Sequence, residues 1–146
     1  VFRVARGGGW LARLVGWVLR LPAAGASRSI ALCVERSPGE ERWIRDFGGQ
    51  LLRSVQWREG ELLIEEMNLV QCCFRLEVEG GELRFRQVGA KVGLRGWTIP
   101  LPRALWPRVE GRARGEGAEV AVAVKIEAPV VGLLVSYEGC VRPEEA

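Results

Sequence analysis

The side chains best suited to chemistry lie in two short stretches, Trp43-Ile44-Arg45-Asp46-Phe47 and Glu65-Glu66. Side chains of an extended segment alternate faces, so Trp43, Arg45 and Phe47 point one way and Arg42, Ile44 and Asp46 the other. An arginine between two aromatics on a buried face needs an anion, a carboxylate partner or an aromatic ring to offset its desolvation. Glu65 and Glu66 are adjacent, so on a strand they diverge and form no close carboxylate dyad. The one that faces inward has its pKa raised by burial unless an arginine holds it ionised. Glu66 beside Arg45, or Asp46 beside it, is the acid-base pair an isomerase or cyclase would use. The plainer alternative is a structural ion pair of Arg45 with Glu66 or Glu35.

Other chemistry is excluded by composition. The chain has no histidine, which removes the usual general base, the histidine-dependent nucleophile triads and the commonest zinc ligand. Cys33, Cys72, Cys73 and Cys140 contain no C-x-x-C pair and read as reduced thiols, so no metal and no cofactor is expected. The net charge is +3, with basic residues almost all arginine, a skew typical of a GC-rich genome. Residues 1–34 carry five arginines and no acid, so an electrostatic partner would favour that end. The arginines alternate with apolar residues and acids and make no aromatic-laced basic platform, which argues against nucleic acid.

The elements that position these residues are mostly strands. "GGGWLARLVGWVLRLP" predicts a helix over 9–21, with Trp10, Leu11, Leu14, Val15, Trp17, Val18 and Leu21 on a broad apolar face and Pro22 ending it. It is too short to span a bilayer, although its basic face could touch an anionic membrane surface peripherally. Strand-like runs follow at 29–37, 42–47, 50–59, 61–69, 70–79, 82–89, 90–97, 118–127 and 131–141, separated by glycine-bearing turns such as "SPGE", "REGE" and "EGGE". Residues 99–107, with three prolines, predict a loop or short helical turn, and 110–117 a flexible charged hairpin tip. The expected fold is mainly β (α+β): a curved antiparallel meander forming a barrel or half-barrel, with the helix packed on or plugging it. The 146 residues make a single domain, 1–146, and the start at Val1 reads as a fragment lacking its N-terminal beginning. No signal peptide is visible, and the expected location is cytoplasmic.

Four stretches together resemble the bacterial family called domain of unknown function 4166: "RVARGGGWLARLVGWVLRLPAAG" at 3–25, "ERWIRDFGGQLLRS" at 41–54, "IPLPRALWP" at 99–107 and "PVVGLLVSYEGCV" at 129–141. Cys140 stands where that pattern expects an aromatic. The resemblance implies a domain often joined to the carboxyl-terminal side of an NAD(P)-binding domain like that of saccharopine dehydrogenase. It implies no activity and no catalytic residues. "GGGW" is not a dinucleotide fingerprint, so the chain itself is not expected to bind NAD that way.

Three functions follow as expectations. The first is a non-catalytic module whose apolar pocket takes a lipid-like or anionic amphipathic molecule, oriented by Arg45 and walled by Trp43, Phe47, Trp57, Glu66, Phe74 and Phe85. The second is an accessory domain packing against an NAD(P)-binding oxidoreductase domain through a patch around Trp10, Trp17 and Trp106. The third is the isomerase or cyclase using Glu66 or Asp46 with Arg45.

Overall fold

Short alternating segments joined by tight turns close on their nearest neighbours in sequence, and this chain does so repeatedly. In a computed structural model, residues 2–18, 25–28 and 30–142 are described. The strands are β1 (Phe2–Arg6), then helix α1 (Trp10–Val18), β2 (Gly25–Arg28), β3 (Ala31–Ser37), β4 (Glu40–Asp46), β5 (Leu51–Glu59) and β6 (Leu62–Met67). They continue with β7 (Val70–Glu79), β8 (Glu82–Leu94), β9 (Trp97–Pro100), β10 (Arg108–Glu116), β11 (Glu119–Ala128) and β12 (Gly132–Val141).

Six connections are two-residue turns, flanked by the pairs Ser37–Glu40, Glu59–Leu62, Met67–Val70, Glu79–Glu82, Leu94–Trp97 and Glu116–Glu119. Such turns need a positive φ, supplied by Gly60 at 60° and, without glycine, by Asn68 at 57°. Among the described residues the result is one antiparallel 12-stranded sheet in the order β2-β1-β12-β11-β10-β8-β7-β6-β5-β4-β3, with β9 branching from β8. It curls into a half-barrel, as the alternation predicted. No ladder joins the β2 and β3 edges among the described residues.

The two arms meet instead through side chains. Phe2 and Val4 of β1, Ile126 of β11, and Leu134, Val135 and Tyr137 of β12 pack with Phe47 and Leu52 from the far arm into one buried cluster. Leu134 and Val135 are both buried although consecutive, because the β11–β12 register shifts after Ile126. Helix α1 lies against β12 and buries Ala12, while Trp10 and Leu14 stay exposed. Gly7 makes this approach possible: a Cβ there would overlap the Leu133 carbonyl oxygen and come within 2.9 Å of the Ala12 Cβ. Residues 19–21 of the predicted helix lie outside the described residues.

Three local expectations are corrected. Residues 82–94 form one strand of 13 residues, not two. The segment 110–117 belongs largely to β10, whose nine residues pair with β11 throughout. The proline-rich 99–107 combines the end of β9 with a 3-10 turn at Arg103–Leu105. The arginine-rich, glycine-spaced sequence of β10 hid that strand, since its apolar partners are supplied by its neighbours β8 and β11.

Candidate functional site

The inner face of the half-barrel follows from register. Residues directly opposite across a ladder share a face, so the series Glu41, Gln56, Glu65, Cys72 and Ala90 runs across β4 to β8 on the concave side. The neighbouring series Val34, Trp43 and Ser54, and Leu32, Arg45 and Leu52, lie on that side too. The next series toward the outside is Glu40, Trp57, Ile64, Cys73 and Gly89.

Between the arms is a hollow of about 250 Å³, walled largely by apolar side chains, including Phe2, Leu32, Met67, Phe74, Phe85, Val122, Val124 and Ile126. Phe74 and Phe85 meet edge to face at 6.0 Å between centroids, and the Phe85 ring covers Gly111 so closely that a Cβ there would sit 3.2 Å from it. Most of the polar groups, Trp43, Arg45, Gln56, Glu65 and Tyr137, concentrate in one part of the wall, while Asn68 and Arg112 also line it.

Arg45 is fully engaged in that cluster. Its Nη1 donates to Ser54 Oγ at 2.9 Å and its Nη2 to Glu65 Oε1 at 3.3 Å, while the guanidinium lies 5.4 Å from the Trp43 ring centroid. The Arg45 and Glu65 side chains are only 12% and 16% exposed. Trp43 Nε1 donates to Glu41 Oε2 at 3.2 Å, and Glu41 pairs with Arg36 at 3.0 Å, carrying the polar line to the rim. Gln56 is different: it is 9% exposed, faces the hollow, and its side-chain amide makes no hydrogen bond to a described residue. Burial pushes the Cys72 thiol up to about 12, with Glu65 and Cys73 adding to the effect. Burial also raises Tyr137, where the positive Arg45 and the negative Glu65 act in opposite directions.

The predicted set is thus brought together in part. Trp43, Arg45, Phe74 and Phe85 line the hollow. Phe47 does not; β4 ends at Asp46, and the turn that follows, held by Phe47 N–H donating to the Gln50 carbonyl at 3.0 Å, drops the ring into the closed end against Tyr137. Trp57 is on the outer face, its Nε1 donating to Glu59 at 3.0 Å. Glu66 is also outside, accepting from Gln71 Nε2 at 2.6 Å, and its neighbour Glu65 takes the inner place beside Arg45. Asp46 faces away from Arg45 and accepts the Gly49 N–H at 2.6 Å. Neither acid proposed for an isomerase or cyclase therefore reaches Arg45. Sequence reading missed Glu65, Gln56, Ser54 and Tyr137 as members of the site; the turn at Gly60-Glu61 was the signal that placed Glu65, because pairing Glu59 with Leu62 also pairs Gln56 with Glu65.

These features define a class: an antiparallel half-barrel domain enclosing an apolar hollow with one polar cluster, with a short helix between its first two strands. Residues 1–140 match the family model described as Domain of unknown function (DUF4166), and the chain belongs to that family. Comparisons with curated proteins and with solved structures returned no match. No helix among the described residues is long and apolar enough to cross a membrane.

Proposed function

We propose that this domain is a non-catalytic binding module that holds a small apolar or amphipathic molecule inside the half-barrel. The observation that carries this reading is the hollow itself, open and apolar, with most of its few polar side chains gathered in one place, the usual composition of a small-molecule site. An apolar cavity of roughly 150 Å³ takes a benzene ring, so 250 Å³ corresponds to about ten non-hydrogen atoms. The test is native mass spectrometry of the purified chain followed by denaturing extraction. A released small molecule, or uptake of added toluene, supports the module. A chain that carries nothing and takes up no toluene refutes it.

A second reading, an accessory domain seated on an NAD(P)-binding partner, draws support from exposed apolar residues. Trp97 and Ile99, two apart on β9 and so on one face, are 77% and 53% exposed. Of the patch expected around Trp10, Trp17 and Trp106, Trp10 is exposed as well, while the Trp106 indole is half-buried and donates to the Leu101 carbonyl at 2.7 Å. Trp97→Ser should abolish association with such a partner while leaving toluene uptake intact; unchanged association would remove this reading.

A further inference from the structure

Resting on the binding-module reading, we infer that the molecule held in the hollow is uncharged and ends in an amide, carbonyl or hydroxyl group that pairs with Gln56. Two observations lead there. Arg45, the cation that the sequence reading set toward an anionic ligand, already has a carboxylate partner in Glu65 and a hydroxyl partner in Ser54, while Arg112, which also lines the hollow, is exposed to water. The pair is nearly sealed from water, so an incoming anion would have to displace Glu65 or lie beside it in a poorly screened place. Gln56, directly opposite Glu65 across the β5–β6 ladder, is 9% exposed and lines the hollow, and its side-chain amide makes no hydrogen bond to a described residue.

The amide can be hydrated while the hollow is empty, and a ligand that displaces that water keeps the balance only if it supplies both a donor and an acceptor. A primary amide matches Gln56 on both counts, a hydroxyl nearly so, and a carboxylate can accept but not donate. The same asymmetry is visible in the surrounding titratable groups: burial and Glu65 both disfavour ionisation of Cys72, so additional negative charge is resisted here. The rest of the ligand lies over Phe74, Phe85 and Val122, where no hydrogen-bonding partner is needed.

The experiment measures binding of octanamide, octanol, octanoate and toluene to the 146-residue chain by calorimetry at pH 7.5. Octanamide and octanol should bind at least about tenfold more tightly than octanoate, the scale of one hydrogen bond gained or one charge left unpaired. Gln56→Leu should erase the advantage of octanamide while toluene binding persists. Glu65→Gln should shift the preference toward octanoate, a change that a merely structural glutamate would not produce. Octanoate binding as tightly as octanamide, with toluene also bound, overturns the inference and leaves the module standing. Failure of all four, toluene included, overturns both.

Discussion

The rings of Phe47 and Tyr137 meet edge to face with centroids 5.5 Å apart and planes at 73°. Tyr137 lies on β12, third along the sheet, and Phe47 directly follows β4, tenth along it, so this contact joins arms that no backbone ladder connects. The half-barrel is closed at this end by aromatic packing. Phe47→Ala should cost about 3–5 kcal/mol, read as a lowered midpoint in urea. A loss under about 1 kcal/mol would mean the arms are held together elsewhere.

Arg45 and Glu65 should behave as a unit. Removing either alone, as Arg45→Met or Glu65→Leu, leaves a charge with little access to water and should destabilise by about 3 kcal/mol. The double variant should recover most of that loss, because two apolar side chains suit the hollow's walls. The double-mutant cycle decides the matter: additive losses would show that the two side chains are not coupled.

Cys72 makes the fold sensitive to alkali. Its thiol, ordinarily near 9.0, is pushed to about 12 in the folded chain, so the folded state holds the proton more tightly than the unfolded one. Below pH 9 both states are protonated and the contribution is complete; between about 9 and 12 it is lost as the unfolded thiol ionises. The loss amounts to roughly 4 kcal/mol at most, and Tyr137, also raised by burial, acts in the same direction above 10. Cys72→Ala should flatten the fall in stability over that window. At neutral pH, thiol reagents should label exposed Cys33 and spare buried Cys72 and Cys73 until the chain unfolds.

Gly7 should tolerate no side chain. Gly7→Ala drives a methyl group into the Leu133 carbonyl and Ala12, forcing α1 away from β12. The expected cost is at the upper end of about 1–3 kcal/mol for overpacking, with greater protease sensitivity near α1. Gly115→Ala, where a Cβ meets nothing within 4 Å, is the matched control and should be nearly silent at that site.

Much of the sheet was legible because alternation and turn chemistry are local. The two-residue turns set most of the register, and with Ser37 opposite Glu40 the facing pairs Val34–Trp43 and Leu32–Arg45 follow by counting. The same counting across Gly60 places Glu65 inside and Glu66 and Trp57 outside. Choosing Glu66 was an error of parity, not of chemistry. What could not be counted was set by distant contacts: the fate of Phe47 depends on Tyr137, ninety residues later, and β10 is a strand because β8 and β11 flank it. The register shifts at Phe74 and Ile126 likewise carry no signal in alternation alone.

One further consequence lies where the sheet forks. β8 pairs with β10 only at residues 82–85 and with β9 at residues 91–94. At the branch, the Gln87 side chain does what a backbone rung would do, its Nε2 donating to the Pro107 carbonyl at 2.9 Å and its Oε1 accepting from Val109 N–H at 3.0 Å. The returning chain is therefore caught by a side chain and not by a continued ladder, so its alignment does not depend on how many residues the excursion contains. Insertions and deletions between Leu94 and Pro107, odd or even in number, can reshape the rim of the half-barrel while Val109, Gly111 and Ala113 keep facing inward. The fork gives the chain a place where its length can change without rebuilding its interior.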